Sequence, residues 1–205
     1  MKNRSYIQVS GKQHEKETAV QPDLRAKRRR ARALTLGAAA AAGAVGAIPL
    51  GINDGFILAP LETTLVTSIS KVYDLQKSDD LTKNIIARII ECGAVGIAAK
   101  ALINRLKLIP GVANLAADVL NAIVAASVVM GIGTASGIIM EKVYLGQIDR
   151  ENLDWVNRIM EGQLGKAVRT VTRAAAEKNG RIDAGDVLKI FSKKDEDMGS
   201  DEKQP

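Results

Sequence analysis

The distribution of apolar and polar positions divides the chain into stretches of different character. Residues 1–32 are polar and basic with no apolar period, which predicts a disordered tail. Two stretches that follow carry no charge: "ALTLGAAAAAGAVGAIPLGIN" over 33–53 and "VLNAIVAASVVMGIGTASGIIM" over 119–140. Each has roughly the 20 residues that cross ~30 Å of hydrocarbon as a helix. A helix of a soluble bundle normally shows a polar stripe. Neither stretch has one, so both are read as membrane-inserted helices rather than as the core of a soluble bundle. The later stretch is the stronger. Its Leu, Ile and Val residues favour insertion by about 3 to 5 kcal/mol, against about 2 to 4 kcal/mol for the earlier one. Gly37, Gly43 and Gly46 in the first, and Gly133 with Gly137 in the second, are small residues that let helix backbones approach closely.

The remaining pattern is amphipathic. Leu61, Leu65, Ile69, Val72 and Tyr73 share one helical face and predict a helix from about Pro60 to Gln76. Pro60 suits its first turn, and Glu62 would complement its positive end. A second helical pattern runs from Leu81 to Leu108, with Arg88 and Glu91 spaced as a local surface pair. Farther on, Leu153, Val156, Ile159, Met160, Leu164, Val168 and Val171 form the apolar face of a soluble helix. Asn179-Gly180 reads as a helix stop and Asp183 as the cap of a short following helix. The fold class is therefore all-α. Its parts are a basic tail (1–32), a hydrophobic helical membrane domain (33–146), a soluble helical region (147–192) and an acidic disordered tail (193–205).

Charge and composition restrict the chemistry. The chain has 29 Lys and Arg against 23 Asp and Glu, a formal +6, and nearly all of the excess lies before residue 33. Such an arm implies an anionic partner, nucleic acid or lipid. Aromatic residues are only 3% of the chain, too few to make base stacking the expected mode of contact. Cys92 is the single cysteine, so an internal disulfide and a thiolate cage for a metal are excluded. Cys92 opens the apolar run "CGAVGIAA" and is read as a packing residue. His14 is the single histidine and lies in the tail, so no Ser-His-Asp set or multi-histidine metal site can be built on it. "GQLGKAVRT" has the wrong spacing for a phosphate loop, and Ala167 stands where a Ser or Thr would hold magnesium. "AEKNGRIDAGDVLKIF" has Glu177, Asn179 and Asp186 at calcium-loop positions, but Ala175 replaces the first carboxylate. No catalytic, cofactor or metal residues are assigned, and an enzyme is not expected.

Around the first charge-free run, "AIPLGINDGFILAPLETTLVTSISKVYDL" resembles the signature of an uncharacterised bacterial membrane-domain family. That family is often found C-terminal to Era-like small GTPase domains and is related to the YcjF-like proteins. The matching positions are Ile48, Pro49, Asp54, Pro60, Ile69, Tyr73 and Leu75. "LIPGVANLAADVLNAIVAASVVMGIGTASGIIMEKVY" is similar to the family's second hydrophobic element, which begins at Ile109, Pro110 and Gly111. The resemblance covers about residues 33–145 and implies a helical, membrane-associated module. Because this chain has no GTPase domain, the resemblance implies a GTPase partner in trans.

The expected function is that of a non-enzymatic integral membrane protein, an anchor or interaction module for a cytosolic GTPase system in the bacterial cytoplasmic membrane. Arg25, Lys27, Arg28, Arg29, Arg30 and Arg32 would lie on anionic headgroups, each adding up to about 1 kcal/mol of attraction. The positive-inside rule holds the N-terminus in the cytosol, and two crossings return the C-terminus there. Residues 54–118, with seven basic and seven acidic residues, give no orienting bias. Two rivals stand beside this reading: a soluble nucleic-acid-binding protein using the arm, and a membrane-permeabilising homo-oligomer using the Gly/Ala-rich helices.

Overall fold

A helix that is apolar on every side needs cover on every side, and the later charge-free stretch obtains it from the rest of the chain. The computed structural model describes residues 5–48, 55–75, 79–94 and 97–200. Among these residues there is no strand. The helices are α1 (Ser5–Gly46), α2 (Gly55–Val72), α3 (Asp80–Ala94), α4 (Ile97–Leu106), α5 (Ala117–Tyr144), α6 (Asp154–Glu177) and α7 (Ala184–Ser200), with a 3-10 turn at Val112–Asn114. The all-α class is thus shown. α5 is the axis, and α1, α2, α3, α4, α6 and α7 all pack against it. Ile123, Val129, Ile132, Ala135, Ile139 and Met140 of α5 are fully or almost fully buried.

Of the described helices, only α5 is long and apolar enough to cross a membrane, and 78% of its most apolar stretch is buried inside the protein. The expected pair of crossing helices is not found. Within the first stretch only residues 33–46 are helical, about 21 Å at ~1.5 Å per residue, short of the ~30 Å hydrocarbon core. Its Ala and Gly content also keeps it weakly apolar.

The expectation of a disordered tail over 1–32 is corrected, because α1 begins at Ser5 and runs without interruption through the basic run. Lys, Arg and Ala are all good helix formers, and burial of Lys27 and Ala31 fixes this part of the helix to the bundle. The acidic end likewise starts inside α7, which extends to Ser200.

α2 begins at Gly55, which places Pro60 within the helix rather than in its first turn. Glu62 accordingly lies inside α2, where it is buried, and not at its positive end. The pattern expected over 81–108 is divided into α3 and α4, and residues 95 and 96 between them lie outside the described residues.

α1 and α5 form an antiparallel pair with a constant register. Arg28 meets Glu141 at one end, and Thr35 meets Gly133 in the middle. Gly43 faces Ala126 and Gly46 faces Asn121 and Ala122 at the other end. A Cβ on Gly46 would stand 3.0 Å from the Asn121 carbonyl oxygen, and one on Gly133 would overlap the Thr35 side chain. Gly37 and Gly137, named with them from the sequence, face open space.

α6 packs Val156, Met160 and Val171 into the core and stops at the Asn179-Gly180 pair. Both residues have positive φ, 51° and 78°, and the amides of Asn179 and Gly180 donate to the carbonyls of Ala176 and Ala175. Asp183 then caps α7 reciprocally: the Asp186 amide donates to Asp183 Oδ1 at 2.7 Å and the Asp183 amide to Asp186 Oδ2 at 3.3 Å. Asp186 also takes Lys178 at 2.5 Å, so the letters that resembled a calcium loop form a helix stop and a cap.

Candidate functional site

The basic run is divided by the helix it lies on. At ~100° per residue, Arg28 and Arg32 share one side with Ala31 and Thr35, the side that meets α5. Lys27 is buried. Its ammonium donates to the Val72 carbonyl at 3.1 Å and to the Asp74 carboxylate, lies 3.7 Å from Asp23, and stands 5.1 Å from the centre of the Tyr144 ring. The hydrogen bond to Asp74 raises the Lys27 pKa even though burial opposes it.

Asp74 is held in the left-handed region, φ 56°, at the position where a helix C-terminus usually takes glycine. The Leu75 amide donates to the Ser70 carbonyl and that of Asp74 to the Lys71 carbonyl, the paired bonds of such a terminus. Asp74 therefore ends α2 and at the same time takes the Lys27 cation, while Lys27 complements the negative end of α2. The Tyr73 ring is buried beneath this cluster, 6.1 Å from that of Tyr144. Its hydroxyl pKa is pushed up to about 12, first by burial and then by the Glu141 charge.

Arg28 grips Glu141 through Nε and Nη2 at 2.7 and 2.6 Å. Arg32 donates to the carbonyls of Phe191 and Ser192 at 2.9 and 2.8 Å. Of the six cations assigned to headgroups from the sequence, Lys27, Arg28 and Arg32 thus engage the protein itself. Replacing Lys27 by Met is expected to cost about 2 kcal/mol in urea unfolding, the range of a charge-assisted hydrogen bond. Arg29→Met, at an exposed position, should stay within about 0.5 kcal/mol of the wild type.

The opposite side of α1 carries the remaining cations and no protein cover. Arg25, Arg29 and Arg30 are exposed. From Arg30 the exposed positions continue at helical spacing through Leu34, Gly37, Ala41, Ala44 and Ile48 without another charge. Leu34 and Ile48 remain 38% and 50% exposed, two of the few large apolar side chains left to solvent. This face, cationic at one end and uncharged along the rest, is the candidate contact surface.

The residues of the family resemblance are spread through the fold. Ile69 and Tyr73 are buried, Pro60 is exposed on α2, and Ile48 is exposed just past α1. Ile109, Pro110 and Gly111 form the loop before the 3-10 turn, with Gly111 at φ 90°. Pro49 and Asp54 lie outside the described residues.

Arg88 and Glu91 form an exposed pair at 3.3 Å. Cys92 donates to Asn157 Oδ1 at 3.3 Å, and burial pushes its thiol pKa up. Sequence reasoning missed the Asp74 terminus and the burial of Glu62. A Tyr-Asp-Leu ending an apolar helical face was the available signal for the first. No family model matches the chain, and no curated protein or solved structure matches it.

Proposed function

We propose that this chain is a non-enzymatic, membrane-associated helical module that lies with the outer face of α1 on an anionic bilayer surface. The observation that carries the reading is the exposed, charge-free face from Leu34 to Ile48 that follows Arg29 and Arg30 on the same side of one helix. Neither half suffices alone. Ala-rich surface partitions weakly into lipid, and a few arginines give only about 1 kcal/mol each. Stable surface binding takes two such signals together. α5, jacketed by the other helices, serves in this reading as the core of the bundle rather than as a crossing element. The polar sides of α3, α6 and α7 then remain available to a cytosolic partner. The family resemblance makes a small GTPase in trans the first partner to test, with this chain as its anchor or interaction module.

Flotation with vesicles tests the membrane reading. The chain is expected to float with phosphatidylglycerol-containing vesicles and much less with phosphatidylcholine alone, and high salt should release it without detergent. Arg29→Ala with Arg30→Ala should weaken binding roughly thirtyfold, the equivalent of about 2 kcal/mol. Equal flotation on both vesicle types, undiminished in the double variant, would refute the surface model. Retention through high salt until detergent is added would restore the spanning one.

A further inference from the structure

On the side of α1 that faces the bundle, α1, α5, α6 and α7 leave a half-open cleft of about 480 Å³. This is within the ~300–1,000 Å³ of small-molecule sites. The floor exists because α5 presents Gly131, Gly133 and Gly137 there, and a Cβ on Gly137 would meet no atom within 4 Å. Met130, Ile138 and Phe191 supply apolar walls. The polar groups at the edge are biased in charge: Arg28, Arg32 and Lys166 line the cleft, and Glu141 is the one carboxylate among the lining residues. Glu141 is already matched by the two-point grip of Arg28. The Arg32 guanidinium is fixed by the two α7 carbonyls that accept its hydrogen bonds. Lys166, exposed on α6, has no ion pair among the described residues. Thr134, Gln163 and Thr170 line the same cleft and can bond to a polar head.

An apolar pocket with convergent polar groups of one sign selects a ligand with an apolar body and one opposite charge. We propose that this cleft binds a small amphiphilic anion, its carboxylate or phosphate head at Arg32 and Lys166 and its hydrocarbon portion over the glycine floor. The inference does not rest on the membrane reading, because the cleft and the exposed face lie on opposite sides of α1.

Isothermal titration of the full chain with octanoate, octyl phosphate, octanol and inorganic phosphate, each below its aggregation limit, tests it. At least one of the two eight-carbon anions should bind, and octanol and inorganic phosphate should bind about tenfold or more weakly, the value of one charge-assisted hydrogen bond. Gly137→Leu, which fills the floor, should abolish binding. Lys166→Gln, at an exposed position, should weaken it about tenfold with the helical circular dichroism unchanged. Failure of both eight-carbon anions to bind would overturn the proposal. So would octanol or inorganic phosphate binding as tightly as the anions, or undiminished binding in both variants.

Discussion

Gly111→Ala is expected to destabilise the fold by about 3 kcal/mol or more, because two separate costs fall on one methyl group. Gly111 sits at φ 90°, where a side chain costs roughly 1–2 kcal/mol. Its added Cβ would also overlap the Asn179 carbonyl oxygen, a backbone atom that cannot rotate away, and such overpacking costs about 1–3 kcal/mol. The contact is mutual. Gly180 is at φ 78°, and a Cβ there would stand 2.5 Å from the Val112 amide nitrogen and 2.6 Å from the Gly111 carbonyl carbon. Two backbones meet at this point, the loop before the 3-10 turn and the stop of α6, and Val112 and Ile182 beside them enter the second core cluster. Gly180→Ala should cost a similar amount. The double variant should cost less than the sum, since either methyl already pries the same contact apart. Urea unfolding midpoints at constant slope measure this, and a loss below about 1 kcal/mol for Gly111→Ala would contradict the backbone contact.

Glu62→Gln should make the protein more stable at pH 8 and leave it nearly unchanged at pH 4. Glu62 is 6% exposed, and its Oε2 faces the position of Gly93 on α3 beside Ile132 on α5. No cation on the three helices pairs with it, and burial pushes its pKa up to about 7 from 4.5. Below pH 4.5 the carboxyl is protonated in both folded and unfolded chains and contributes no pH dependence. Between pH 4.5 and 7 the folded chain holds a proton that the unfolded chain has released, so stability falls as pH rises. Above pH 7 the loss is complete, about 3 kcal/mol for a shift of this size. Glutamine cannot ionise, and the slope between pH 4.5 and 7 should vanish in the variant. Unfolding midpoints across this range provide the check. A wild-type slope of the opposite sign, or one that survives in Glu62→Gln, would show that another group is responsible.

Much of the fold was legible because apolar period reports burial directly. The faces of α2 and α6 follow from Leu65, Ile69, Met160 and Val171, all of which are buried, and the stop of α6 follows from Asn179-Gly180. What escaped was information that no local pattern holds. A charge-free helix reads alike whether lipid or protein surrounds it, and only the packing of six other helices distinguishes α5 as a core. Lys27 and Arg29 are equivalent letters in "AKRRRAR"; their opposite fates depend on the ~100° per residue by which a helix turns and on Asp74 waiting at the end of α2. Pro60 followed the rule for a first helical turn, yet the helix had already begun at Gly55, and the displaced start turned Glu62 from a terminal charge into a buried acid. The candidate face on α1 was half legible, in its arginines and its alanines, whereas the division of the arginines between protein and surface required the fold.

The central claim is that the outer side of α1 meets lipid while the bundle does not. An environment-sensitive fluorophore attached at Ala44→Cys, in a Cys92→Ser background, tests it against the same label at Arg173→Cys on the exposed side of α6. On mixing with phosphatidylglycerol-containing vesicles, emission from position 44 should shift to the blue and that from position 173 should not. An unshifted spectrum at position 44, or an equal shift at both positions, would contradict the account.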